Sequence, residues 1–268
     1  TNTVGDRNVA VGEGALATYN PSSNEDSYNT ALGFNALTAD TTGKQNTAIG
    51  ALSLDASTTG DANTAVGYLA LDANTTAGNN VAVGYGSLGA ATTGGLNVGI
   101  GSYAGDAITT GAQNTAMGYN ALSAVTTANS NTAIGSGALA VNTAAQNTAV
   151  GDEALNKNTT GAKNVSVGYN SLGENTTGAE NTAVGYEALS AVSTGGYNTA
   201  VGSEALILNT GDHNTGMGRI ALNRNTSGAN NTAYGSRALY ANTTADNNTG
   251  IGYNALTANT TGTRNTAL

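Results

Sequence analysis

Apolar and polar positions recur along this chain with a period of 17 residues. Numbered from its opening Asn, each unit runs Asn-Thr-Ala-Val-Gly, a variable pair, Ala-Leu, and then a polar stretch typified by Asn-Thr-Thr-Gly. The opening Asn falls at Asn8, Asn29, Asn46, Asn63, Asn80, Asn97, Asn114, Asn131, Asn147, Asn164, Asn181, Asn198, Asn214, Asn231, Asn248 and Asn265. After one interval of 21, every spacing is 17 except two of 16. So strict a period means that each unit is one structural step stacked on the last.

Within a unit, positions 2 to 4 alternate, are rich in β-branched residues and end at a Gly, which predicts a short strand. Its side chains must point alternately to two sides. The expectation is that the larger residue at position 4 (Val, Ile, Leu, Met, once Tyr234) faces inward with position 2. The small residue at position 3 then faces out. Position 9 is Leu in fourteen of fifteen units and should be driven inside; Gly105 departs, leaving Ile100, Tyr103 or Ile108 to fill the gap. Positions 12 to 15 predict a polar turn whose Asn and Thr side chains bond the local backbone.

Helical repeats need periods of roughly 33 residues or more, and the recurrent Gly would cost about 1 kcal/mol in each helix interior. Disorder would not hold Leu and Val in phase for fifteen cycles. The pattern therefore predicts an all-β chain, a parallel β-solenoid of about fifteen 17-residue turns. Residues 1–268 form a single repeat array interrupted by an insertion near 19–28. At ~4.8 Å per turn the rod would be about 70 Å long. The Asn at position 1 should form a ladder of side-chain amides. Only two large apolar side chains per turn make a thin core, so lateral association is expected. The position 3 stripe of Ala and Gly suggests close approach of other copies in a parallel homotrimer.

Composition narrows the function. The chain has 8 basic and 17 acidic residues, a net charge of −9, yet only 9% of its residues are charged. No basic stripe is available for phosphates, so nucleic acid is not an expected partner. The apolar runs are too short to span a bilayer, so no membrane insertion is expected of this segment. Cys is absent, which removes disulfides and thiolate metal sites. The chain opens at Thr1 and stops at Asn265-Thr266-Ala267-Leu268, short of the Gly that closes the pentapeptide elsewhere. It therefore reads as an excerpt of a longer fibre.

The motifs Asn63-Thr64-Ala65-Val66-Gly67 and Asn131-Thr132-Ala133-Ile134-Gly135 resemble the head repeats of YadA-like trimeric autotransporter adhesins. The full unit Asn181-Thr182-Ala183-Val184-Gly185-Tyr186-Glu187-Ala188-Leu189 is similar to repetitive phage tail-fibre proteins. The resemblance covers nearly the whole chain. It implies a left-handed parallel β-roll, a homotrimer and an extracellular, cell-surface or virion setting. The 17-residue unit is longer than the usual adhesin-head repeat.

Catalytic chemistry is hard to assemble here. The one His, His213, lies in a shortened turn, and the acidic residues form no recurrent pair for acid–base work. The calcium-binding nonapeptide of other β-rolls and the phosphate-binding Gly-Lys-Ser/Thr loop are both missing. No enzyme activity, cofactor or metal is therefore expected. The acceptor-like Asn74-Thr75-Thr76 and Asn242-Thr243-Thr244 follow from the turn sequence. Recognition is left to the variable pair. Position 6 carries Phe34, Tyr68, Tyr85, Tyr119, Tyr169, Tyr186 and Tyr253, and position 7 carries Asn120 and Asn170 among others. Exposed Tyr beside Asn suits a host-surface glycan or protein receptor, although the same rings could simply pack over neighbouring repeats.

The expected function is a structural and adhesive fibre segment, from a phage tail fibre or a bacterial surface adhesin, that gives multivalent contacts. Two alternatives are a self-assembling extracellular filament and an ice-binding solenoid using rows of Thr. The irregular, inward-facing position 2 argues against the latter.

Overall fold

The computed structural model describes residues 7–21 and 26–268. Among these, sixteen strands occur at one phase of the repeat, and there is no helix. The chain divides into two units, Thr1–Ala133 and Ile134–Leu268. The first holds β1 (Val9–Val11) to β7 (Thr115–Met117), β8 (Thr132–Ile134) carries residues of both, and the second holds β9 (Thr148–Val150) to β16 (Thr266–Ala267). In each unit successive strands are parallel and in register: Thr47 faces Thr64 in the first, and Thr182 faces Thr199 in the second. Each unit is thus a parallel β-solenoid with one turn per repeat.

The inside of a turn differs from the expected one. Ala at position 3 is fully buried in turn after turn, as at Ala65, Ala116, Ala183 and Ala200. Position 4 faces outward instead, leaving Val11, Leu32, Ile100, Val184 and Ile251 exposed, and position 2 shares that face. The buried stripe of small residues cannot be a contact surface for another copy, and Thr at position 2 is not inward.

Two physical constraints reverse the strand. The Asn at position 1 is buried and hydrogen-bonded inside, so alternation puts position 3 inside with it. The interior is also narrow. A Cβ added to Gly99, at position 3, would lie 2.5 Å from Ser87 Oγ and 2.8 Å from Leu88 Cγ. Leu at position 9 already fills the space.

The interior rows are therefore Asn at position 1, Ala at 3, Ala or Ser at 8, Leu at 9, and position 12. Where Gly105 replaces Leu, Ile108 at position 12 is fully buried and lies 3.0 Å from where a Gly105 Cβ would stand. Ile100 and Tyr103 remain exposed. Where Ser166 replaces Ala at position 3, Ser171 stands at position 8, and the two hydroxyls hydrogen-bond to each other. A polar substitution inside is matched by its neighbour, as burial of a hydroxyl requires.

The amides carry much of the axial connection. Asn46 N–H donates to Asn29 Oδ1 at 2.9 Å, and Asn46 Nδ2 donates to the Gly60 carbonyl at 2.7 Å. This pattern recurs along position 1, so the expected ladder runs mainly from side chain to backbone. Direct amide–amide contacts join it at some steps, such as Asn63 Nδ2 to Asn46 Oδ1 at 3.3 Å.

Position 12 forms a second, unexpected ladder. Asn175 Nδ2 donates to Asn158 Oδ1 at 2.8 Å, and Asn242 Nδ2 to Asn225 Oδ1 at 2.8 Å. These Asn are buried core residues rather than turn residues. The acceptor-like Asn74 and Asn242 belong to this row and are fully buried. Thr at position 13 adds a hydroxyl row, with Thr58 Oγ1 donating to the Thr75 carbonyl at 3.1 Å.

The irregular intervals are absorbed without loss of phase. In the 16-residue turns Asn142 and Asn209 donate to a carbonyl two residues on, whereas Asn158 and Asn225 reach three residues on. The missing residue comes from the outer turn alone. Across the 21-residue interval Asn29 N–H still donates to Asn8 Oδ1 at 2.8 Å, and Val9 faces Thr30. Within the insertion Tyr19 is buried and its hydroxyl meets Ser27 Oγ; residues 22–25 lie outside the described residues.

Candidate functional site

The Gly at position 5 steers the chain out of the strand. Gly67 has φ +140, and a Cβ there would lie 2.4 Å from the Gly84 carbonyl oxygen. Interlocked turns follow, closed by bonds such as Ala104 N–H to the Gly101 carbonyl and Asn74 N–H to the Leu71 carbonyl. Positions 7 and 9 take the left-handed conformation in non-Gly residues, including Asn120 at φ 52, Asn170 at φ 48 and Leu71 at φ 52. Position 6, between the Gly and the first of these, projects into solvent.

That projection sets the six tyrosines on the surface. Tyr68 and Tyr85 lie 5.6 Å apart between ring centroids, and Tyr169 and Tyr186 stack at 5.6 Å with a 14° interplanar angle. Tyr119 is 57% exposed and Tyr253 74%. Asn120 and Asn170 sit beside Tyr119 and Tyr169, half-buried, with backbone N–H groups bound to the Ser102 and Asp152 carbonyls. Tyr68, Tyr85, Tyr169 and Tyr186 therefore do both things considered from sequence: they pack in pairs along the axis, and they keep about half their surface in water.

Sequence reasoning missed a member of this row. Tyr103, at position 7, meets Tyr85 edge-on at 5.1 Å, making a cluster of three rings with Tyr68. The Tyr103 phenol is held above its ordinary range by a hydrogen bond with Tyr85. Glu187 does the same to Tyr186 by hydrogen bonding to its hydroxyl. The signal for Tyr103 was its place next to the position 6 row one turn above Tyr85. Elsewhere, His213 stacks on Tyr197 at 4.9 Å, and Tyr240 lies under Arg224 and Arg237.

Among the described residues no group of three His, Cys, Asp or Glu is placed to hold a metal ion. The outward strand face adds an apolar feature that sequence reasoning had put inside: a shallow hollow lined by Val201, Met217, Gly218, Tyr234 and Gly235. Comparison with known protein families, curated proteins and solved structures gives no match.

Proposed function

We propose that this chain is a non-catalytic, extracellular fibre segment that works as a homo-oligomer, in the trimeric form the sequence resemblance implies. It offers repeated weak contacts to a host-surface glycan or protein. The observation that carries this reading is the row of half-exposed tyrosines held at one phase of a hydrogen-bonded scaffold. Within each pair, Tyr68 with Tyr85 and Tyr169 with Tyr186, rings at successive turns present amphipathic surfaces 5.6 Å apart, so one extended ligand meets two at once. Linked weak contacts can raise avidity by 10²–10⁴ without any tight single site.

The test is retention of the chain on glycan- and protein-coated surfaces, comparing wild type with Tyr68→Ser/Tyr85→Ser and Tyr169→Ser/Tyr186→Ser. Each double variant should lower retention at least tenfold while the circular dichroism spectrum stays unchanged. Equal retention by folded variants would remove the tyrosine row from recognition.

A further inference from the structure

We propose that Arg219, Arg224 and Arg237, gathered around Tyr240, form a second binding site that takes sulfate or carboxylate groups carried on an acidic glycan. The choice of a glycan as carrier rests on the proposed function, whereas the anionic chemistry is read from the site itself. The chain's net charge of −9 hides a local reversal. Residues 214–268 hold four Arg and a single acid, Asp246, while residues 1–213 hold four basic residues and sixteen acids. An anion is therefore drawn to these turns and repelled by the rest.

The fold gathers three of the four Arg from two adjacent turns. Arg237 N–H donates to the Arg219 carbonyl at 3.1 Å, which places their backbones side by side. Tyr240 N–H donates to the Arg237 carbonyl at 3.3 Å, and Arg224 N–H to the Tyr240 carbonyl at 3.3 Å. The guanidinium carbons of Arg224 and Arg237 lie 5.0 and 5.2 Å from the centre of the Tyr240 ring. Two exposed cations thus sit within about 10 Å of each other on one half-buried ring.

No acid answers these charges. Arg7, Lys157 and Lys163 pair with Asp26, Glu174 and Glu180. Among the described residues no carboxylate pairs with Arg219, Arg224 or Arg237, although Glu204 lies in the turn before Arg219. Asp246 is engaged elsewhere, accepting the Ala229 N–H at 2.7 Å. Guanidinium groups held together without a counter-charge repel, and a bound anion removes that repulsion. Packing against the ring also orders two long side chains in advance, so less freedom is lost when they close on a ligand. Their planar donors match the paired oxygens of a carboxylate or sulfate. A nucleic-acid site usually covers roughly 6–10 phosphates, more than three Arg can meet. One or two charged sugars fit the patch better.

The test is isothermal titration calorimetry of the full chain at low salt, with circular dichroism as the check on folding. The probes are hexasaccharides of chondroitin sulfate and of hyaluronan, the second carrying carboxylate alone, with maltohexaose as the neutral control. Wild type should bind at least one acidic probe and not maltohexaose. Arg224→Gln/Arg237→Gln should weaken that binding at least tenfold, and Tyr240→Leu, which keeps both charges but frees them, at least threefold. If the double variant fails to fold, Arg224→Gln alone decides. Lys163→Gln/Arg264→Gln removes the same charge at another phase of the repeat and should bind as wild type. Tyr68→Ser/Tyr85→Ser should also bind as wild type, so failure of this site and failure of the tyrosine row are read apart. No binding of either acidic probe, undiminished binding by the arginine variant, or an equal loss in the charge control would overturn the inference. So would tighter binding of a thymidine hexanucleotide than of both acidic sugars, which would give the patch to nucleic acid.

Discussion

At the scale of single residues, most buried polar side chains of the interior are neutral amides or hydroxyls that hydrogen-bond within the turn or to its neighbours. Asp40 is an acid among them. It occupies position 12, is fully buried, and accepts the Gly43 N–H at 2.8 Å, with Asn29 Nδ2 at 3.4 Å from its second oxygen. Burial pushes its carboxyl up to about 7 from 3.8, against the lowering effect of the Gly43 N–H, and the nearby Asp61 charge adds to the rise. Between about pH 4 and 7 the folded chain holds a proton that the unfolded chain has released. Stability therefore falls as pH rises through that window and is flat above it. A displacement of that size corresponds to about 4 kcal/mol at most. Asn occupies the same position in eight other turns, so Asp40→Asn keeps the shape and removes the titration. Thermal melting at pH 5 and pH 8 should show wild type losing more stability than Asp40→Asn. A parallel decline in both would place the pH dependence elsewhere.

At the scale of one turn, the position 12 amides act in a directed ladder, each Oδ1 receiving the Nδ2 of the turn that follows. The ladder fails where the next residue is apolar. Asn74 Oδ1 and Asn175 Oδ1 are buried without a partner, and the residues one turn on are Ala91 and Val192. Val192→Asn would donate to Asn175 and accept from Asn209, joining two ladders. Burying Val is worth roughly 1.5–3 kcal/mol, while rescuing an orphaned acceptor and adding hydrogen bonds returns a similar amount. Denaturant unfolding should place Val192→Asn within about 1 kcal/mol of wild type, whereas a buried Val→Asn change without partners costs several. A loss of that larger size would mean the new amide finds no ladder.

The same turn shows what could be read in advance. The period, the strand phase, the buried Leu row and the position 1 ladder all follow from regularly spaced residue types. The facing of the strand did not, because hydrophobicity alone sends Val inside in preference to Ala. A better guide was present: position 3 never exceeds Ser in size, while position 4 ranges from Val to Tyr234. Restriction to small residues marks the crowded side, and freedom of size marks the open one. The tyrosine row was legible by phase, but its ring pairs, and Tyr103 among them, depend on which side chains meet across adjacent turns.

At the scale of the whole molecule, a repeat array's stability is close to a sum over turns and their contacts with neighbours, so its two units need not respond alike. Position 10 separates them. In the first unit it holds Asp55, Asp72 and Asp106, each raised by burial, and Asp72 further by Asp55. In the second unit it holds Ala140, Asn156, Gly173, Ser190, Ile207, Asn223, Tyr240 and Thr257, with no acid among them. Raised carboxyls release their protons in the unfolded chain first, so these three act in the same direction as Asp40. All four acids lie in the first unit. Native-state hydrogen exchange, corrected for the intrinsic pH dependence, reads the opening free energy turn by turn. From pH 5 to pH 8 the Leu54, Leu71 and Leu88 amides, which donate to the next turn, should lose protection. The equivalent Leu172, Leu189 and Leu222 amides should keep theirs. Equal loss in both units would mean that opening is global at every turn, and that the placement of the acids has no bearing on where the solenoid opens.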